Sequence, residues 1–329
     1  MTLTVPLDTP GKHYGHIRLP HSADDSAWGH VMVPVCVVNG GNGPTALVTG
    51  ANHGDEYEGP IAIRQLINTA TPETTTGRLI LIPQLNMPAF EAATRTSPID
   101  GVNLNRAFPG NPTGTLTQRL AAFVNDHLIP PADLVIDFHS GGKTLDFLPM
   151  AISHILDDAD QDARCAAAAR AFGAPYTARL REIDDAGMFD GAAERAGKTF
   201  VTTEIGGAGT STPASAAVAL DGLLRTLAHH GILSAAPAPA PTRGLDLSDP
   251  LGFHFSTRGG LFHPLATLGD RVARDQALAH IYATQDLQSP PHTLYAQRSG
   301  LVSARHVPGL IKPGDCAFVL GTDDGPMGR

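Results

Sequence analysis

Four short apolar runs punctuate the first two thirds of the chain: TALVTG at 45–50, RLILIPQ at 78–84, ADLVIDFH at 132–139 and TFVTTEIGG at 199–207. Near-continuous apolar runs of this length predict strands buried on both faces. Between and after them, EGPIAIRQLINT (58–69), TLTQRLAAFVNDHL (115–128), DQDARCAAAARAFG (160–173) and PASAAVALDGLLRTLAHHG (213–231) place apolar residues at helical spacing. Alternation of the two periods predicts an α/β sheet with helices packed on its faces. In such sheets, functional side chains collect on loops past the carboxyl ends of strands. His53, His139 and Glu204 each stand at the end of one of these runs.

The pattern changes at SAAPAPAPTRG, 234–244, where Pro alternating with Ala predicts an extended, semi-rigid linker that cannot continue the preceding helix. Beyond it, short strand-like segments are broken by Gly and Pro, with hardly any helical spacing. Gly260-Leu261 recurs as Gly300-Leu301, Gly269 as Gly309, Asp275 as Asp315 and Ala277 as Ala317. Two similar β units imply a small sandwich or barrel. The stretch GLFHPLATLGDRVARDQALAHI resembles half of a biotinyl/lipoyl carrier domain, but the joining segment 282–299 has no Lys to carry a group. The expected division is therefore a catalytic domain at 1–233, including an N-terminal β segment at 1–40, the linker at 234–244, and a β-rich domain at 245–329.

Composition narrows the setting. The chain has 329 residues, of which 42% are hydrophobic and 17% charged, as expected of a globular protein rather than a disordered one. A net charge of −9 with no Lys/Arg run argues against nucleic acid as partner. No apolar stretch approaches the roughly 18 residues of a membrane helix, and the N-terminus lacks the features of an export signal. Three scattered cysteines, Cys36, Cys165 and Cys316, do not form a disulfide framework. The expectation is a soluble protein of the reducing cytoplasm; a homo-oligomer is left open.

The densest candidate chemistry is GANHGDEYEGP at 50–60. A turn needs Gly and Asp, but it has no use for His53 and Glu56 three positions apart. DFHSGG at 137–142 delivers a second imidazole, His139, on another loop. Two His and one carboxylate make a catalytic zinc set with one position left for water. Glu204, closing FVTTE, is the candidate general base. Arg95 and Arg106 are candidate cations for an oxyanion and an anionic substrate. Helix capping would account for Glu56 alone, yet not for Glu56 together with His139 and Glu204. Asp55, Glu58 and Asp137 read as capping or supporting groups. Three decoys fall away. SGGKT at 140–144 lacks the phosphate-loop Gly, since position 137 is Asp; GGAGT at 206–210 lacks the dinucleotide fingerprint; and no G-x-S-x-G occurs.

These residues, in this order, resemble the succinylglutamate desuccinylase/aspartoacylase family, relatives of the zinc carboxypeptidases. Its H-x-x-E, N-x-x-A with a following Arg, N-x-N-R, D-x-H and T-x-E-x-G correspond to His53/Glu56, Asn86/Ala89/Arg95, Asn103/Asn105/Arg106, Asp137/His139 and Thr202/Glu204/Gly206. The resemblance implies a mixed α/β sheet flanked by helices, one Zn2+ on His53, Glu56 and His139, and Glu204 as proton shuttle. It also implies Arg95 on the scissile carbonyl and Asn105 with Arg106 on the substrate carboxylate. HSADDSAWG, TRTSPIDG and HSGGKTLDFLP further resemble the branch that deacetylates Nα-acetyl-2,4-diaminobutyrate in ectoine breakdown. A cationic side chain would want acidic neighbours, for which Asp146, Glu182, Asp184 and Asp185 are available. The rival expectations are a metallocarboxypeptidase, a deacylase of the succinylglutamate or N-acetylaspartate type, and a metal-binding protein without turnover.

Overall fold

The computed structural model describes residues 1–181 and 187–327. The chain opens with β1 (Thr2–Leu3), β2 (Gly11–Pro20), β3 (His30–Asn39), β4 (Thr45–Thr49), α1 (Glu58–Thr69), β5 (Arg78–Ile82) and α2 (Met87–Ala92). There follow α3 (Leu116–Phe123), β6 (Leu134–Asp137), β7 (Leu145–His154), α4 (Ala159–Phe172), β8 (Tyr176–Leu180), α5 (Phe189–Arg195), β9 (Thr199–Gly207) and α6 (Pro213–His229). Residues 235–242 carry no regular structure. Past them come β10 (Arg243–Asp246), β11 (Phe253–Phe255), β12 (Gly260–Pro264), β13 (Arg271–Val272), β14 (Ala277–Tyr282), β15 (His292–Tyr295), β16 (Gly300–His306), β17 (Leu310–Ile311) and β18 (Cys316–Pro326).

The four apolar runs are β4, β5, β6 and β9, and the four helical spacings are α1, α3, α4 and α6. One end differs. The helix expected to reach Leu128 loosens into a π turn over Val124–Leu128, with Ile129 N–H donating to Val124 O at 3.0 Å. Pro130 and Pro131 follow and have no N–H to carry the helix on.

β5, β4, β6 and β9 are parallel neighbours at the centre of the large sheet. Leu47, Ile80, Val135 and Phe200 bury on one face with α3 and α5. Val48, Leu81, Ile136 and Val201 bury on the other with α1, α4 and α6. Each such side chain contributes about 1.5–3 kcal/mol when taken out of water, which is why these strands read as unbroken apolar runs. Their register matters for the site. Thr49 pairs with Ile82 and with Asp137, and Asp137 with Thr202, so the carboxyl ends lie level and their loops emerge side by side.

β7 runs antiparallel to β9 and also pairs with β16, while β8, β10 and β18 complete the circuit. β7, β8, β10, β18 and β16 thus form a closed five-stranded ring. Its strands supply one buried cluster: Met150, Ile152, Ala178, Leu245, Leu301, Ala304 and Val319. Strands from beyond the 234–244 stretch therefore continue the sheet that carries the first half of the chain. The remaining tail strands make a four-stranded sheet, β15-β14-β12-β17, over a core that includes Phe262, Leu278, Ile281 and Phe318. The repeated Gly-Leu pairs open β12 and β16, one in each sheet. Among the described residues, no helix is long and apolar enough to cross a membrane.

Candidate metal centre

The loop after β4 is pinned before it reaches its ligands. Asn86 N–H donates to Ala51 O at 2.9 Å, and Gly54 N–H donates to Thr94 O at 2.9 Å. Ala51 takes a left-handed conformation, φ 51, which costs a non-glycine residue about 1–2 kcal/mol. Gly54 lies so close to the Ala89 backbone that a Cβ would stand 2.0 Å from its carbonyl carbon. Only Gly permits that approach, and it turns His53 and Glu56 inward; each is 2% exposed.

His139 arrives from the end of β6. Its N–H donates to Thr203 Oγ1 at 3.2 Å, and its C=O accepts from Thr203 Oγ1 and Ile205 N, so β9 fixes its backbone. Asp137, two residues back on the same face, lies 2.9 Å from His139 Nε2. Asn52 Nδ2 and Thr49 Oγ1 donate to that carboxylate at 2.9 and 2.6 Å, which fixes its orientation.

Both imidazoles turn Nδ1 toward Glu56: His53 lies 2.8 Å from Oε1 and His139 2.9 Å from Oε2. One ligand atom from each of the three residues lies within 4.8 Å of the other two. With Nε2–H donating to Asp137, neutral His139 faces the Glu56 oxygen with a bare Nδ1 lone pair. Two electron-rich atoms hold that distance only around a cation, either a proton or a metal ion. His53 Nε2 is buried with no partner among the described residues. The charges agree. Burial would raise Glu56, but His53 and His139 hold it well below the carboxylate range. Burial would lower His139, but Asp137 and Glu56 carry it well above the usual value. Burial wins at His53, which is lowered. Two nitrogens and a carboxylate fit a divalent transition metal.

Glu204 sits on β9 opposite Met150 of β7, two residues past the last pair with β6. Phe200, Thr202 and Glu204 share one face, the face of Asp137 and His139 across the pairing. Its Oε2 is buried without a partner among the described residues, and burial followed by the charge of Glu56 pushes its carboxyl up to about 8. Arg95, half exposed, brings Nη1 to 3.5 Å from Glu56 Oε1. Glu204 feels the charges of Glu56, His139 and Arg95, so it and Arg95 both lie near the three-residue cluster.

Asn105 and Arg106 lie on a separate turn. Asn105 is buried and its Oδ1 accepts from Phe189 N–H at 2.9 Å, while Arg106 is exposed and donates to the Asn105 carbonyl at 2.7 Å. Asp146, on β7 between Gly207 and Arg305, has a carboxyl raised by burial against the pull of Arg305. Glu182, Asp184 and Asp185 lie outside the described residues. Three participants carry no sequence signal. Asn52 and Thr49 support Asp137 only because β4 and β6 pair. Asp190 on α5 is a buried carboxyl raised by burial, with His154 and then His139 pulling against it. Only the packing of α5 under the sheet reveals it.

Residues 42–230 match the succinylglutamate desuccinylase/aspartoacylase catalytic domain. The N-alpha-acetyl-L-2,4-diaminobutyric acid deacetylase of Halomonas elongata is 44% identical over 322 residues, covering 97% of this chain and 94% of that protein. The product-bound structure of the ectoine utilization protein EutE (DoeB) from Ruegeria pomeroyi is 52% identical, with a TM-score of 0.96 and 98% of each chain covered. A succinylglutamate desuccinylase/aspartoacylase structure from Rhodobacter sphaeroides is 36% identical, with a TM-score of 0.92 over 97% of this chain and 98% of that one.

Proposed function

Because the chain belongs to the succinylglutamate desuccinylase/aspartoacylase family, we propose that it is a zinc-dependent amidohydrolase. Its substrate is a small N-acyl amino acid, with Nα-acetyl-2,4-diaminobutyrate, an intermediate of ectoine breakdown, as the specific choice. The observation that carries this reading is the convergence of His53, Glu56 and His139 beside the unpartnered Oε2 of Glu204. The names of the Halomonas and Ruegeria relatives support the choice of substrate.

In this reading His53, Glu56 and His139 hold one Zn2+ per chain. Bound there, zinc would polarise the acyl carbonyl and acidify a water molecule. Glu204 would take a proton from the attacking water as the water oxygen bonds to the amide carbon, and would return it to the nitrogen as the C–N bond breaks. The products are acetate and the free amine. Arg95 reaches over Glu56 toward the oxyanion, and loss of such a donor costs about 10²–10³ in turnover. Arg106 and the Nδ2 of Asn105 take the substrate carboxylate; Asn105 is free to donate because its Oδ1 is already committed to Phe189. Asp146 is the described acidic residue that the same reading assigns to a cationic side chain.

We likewise read residues 1–233 as a catalytic domain of zinc-carboxypeptidase type, 234–244 as its linker and 245–329 as a small β-rich domain of biotinyl/lipoyl form. The working compartment is the cytoplasm. The test is a hydrolysis screen of the zinc-loaded protein over N-acetyl, N-succinyl and N-formyl amino acids. Nα-acetyl-2,4-diaminobutyrate should exceed N-acetylaspartate and N-succinylglutamate in kcat/KM by at least about tenfold, a discrimination a buried polar pocket readily supplies. Glu204→Gln should keep one zinc per chain and lose turnover. A fully active variant removes Glu204 from the mechanism.

A further inference from the structure

Asp55 stands between the ligand residues His53 and Glu56, yet it neither faces them nor caps the helix that follows. The N-cap of α1 is Tyr57, and no side chain caps that end. Asp55 is 5% exposed, and its Oδ2 accepts the backbone N–H of Lys143 at 2.8 Å, across 88 residues of chain. Lys143 belongs to the loop that begins at His139. Gly142, one residue earlier, has φ 53, and a Cβ there would stand 2.6 Å from the same Oδ2. The carboxylate of Asp55 therefore fills the space that a side chain at 142 would take.

Past His139, whose backbone the Thr203 side chain holds, the far margin of this loop is tied by backbone hydrogen bonds. Gly141 N–H donates to Gly206 O at 3.1 Å, Gly209 N–H to Gly142 O at 2.6 Å, and Val307 N–H to Thr144 O at 3.0 Å. On the near margin two side chains of the 53–56 loop reach across. One is Glu56, which accepts from Ser140 N–H at 3.2 Å but is itself a ligand. The other is Asp55, the tie that stays in place whatever Glu56 binds.

We propose that Asp55 is a positioning residue that fixes the separation of the His53–Glu56 loop from the His139 loop, and so sets the metal affinity of the centre. The inference rests on the metal-centre reading above and deepens it. Asn52 holds Asp137 on the strand before the loop; past Ser140 the tie to the 53–56 loop is the Lys143 bond, and without it more of the ordering of the His139 loop falls to metal binding. Groups that orient ligands in this way are worth about 10–100-fold in affinity.

The experiment measures the Zn2+ dissociation constant by competition with a chromophoric chelator, with thermal melting of the metal-stripped proteins beside it. Asp55→Ala should weaken zinc binding about 10–100-fold. Asp55→Asn keeps an acceptor for Lys143 and should stay within about threefold of wild type, since a neutral acceptor preserves most of the bond. Gly142→Ala pushes a Cβ against Oδ2 and should weaken binding from the other side. Because both changes act on one contact, the double variant should be no weaker than the worse single variant, within about threefold. Zinc affinity of Asp55→Ala within about twofold of wild type, even with a lowered melting temperature, overturns the proposal by leaving Asp55 a purely structural role. So does an Asn variant as weak as the Ala variant, or losses that multiply in the double variant. Should Asp55→Ala fail to fold, Gly142→Ala, which keeps the carboxylate, decides the matter. A wild-type chain that binds zinc but hydrolyses no N-acyl amino acid sinks the enzymatic reading alone, since the affinities still test the clamp.

Discussion

Glu204 permits a stability measurement that needs no substrate. Burial, and after it the charge of Glu56, pushes its carboxyl up from the usual 4.5 to about 8. In the metal-free protein the native state keeps a proton that the unfolded chain gives up near pH 4.5. The native state binds more protons across the window from about 4.5 to 8, so stability falls as pH rises through it and levels off above. At about 1.36 kcal/mol per pH unit, that interval is worth about 5 kcal/mol. The side chain keeps a partial opening to solvent and shares its charge balance with Glu56, which reduces the expected effect to about 2–4 kcal/mol. Glu204→Gln has the same shape and never ionises, so it removes the slope. Urea unfolding of the metal-stripped proteins should give near-equal stabilities at pH 5 and a variant ahead by about 2–4 kcal/mol at pH 9. A bound divalent cation favours the ionised carboxylate, so zinc loading should narrow the difference. Wild-type and variant curves running parallel from pH 5 to 9 would refute a buried, ionisable carboxyl at this position.

Three further outcomes follow from the geometry. Arg106→Ala should raise KM for N-acetyl amino acids at least about tenfold while leaving neutral N-acetyl amides nearly unchanged; equal effects on both reject a carboxylate-binding role. Gly59→Ala puts a Cβ 2.2 Å from the Cβ of Phe138, beside His139, and such overpacking should cost about 1–3 kcal/mol, read as a lower urea midpoint. Zinc at about 100 times its dissociation constant should stabilise the stripped protein by about 2.7 kcal/mol, and an unchanged midpoint on adding zinc would count against the centre.

The parallel core was legible because β4, β5, β6 and β9 bury both faces, so each carries a run of consecutive apolar residues instead of an alternating pattern. β7 was not. LDFLPMAISH contains Pro149 and has no clean period, and it is a strand because residues 202–207 and 304–306 pair on its two sides. Those partners are fixed by the whole fold and leave no local trace. The same division holds at the centre. His53, Glu56 and His139 could be read because metal chemistry restricts residue type and spacing. Asp55 reads as a capping residue until the fold brings Lys143 N within 2.8 Å. Asn105 could be named, but its tie to Phe189 could not, since that bond depends on where α5 packs.

The five-stranded ring also governs the order in which the polypeptide can be completed during translation. β7 and β8 leave the ribosome early, yet β8 waits for residues 243–246 and β7 for residues 304–306. At about 5–20 residues per second, the interval between making β7 and making its partner β16 is roughly 8–30 s. Through that time the β7 edge stands bare, the β8 edge does so until residue 246 is made, and Thr144 has no Val307 to answer it. A product stalled or truncated after the Pro/Ala stretch would keep those edges permanently, an invitation for one nascent chain to pair with another.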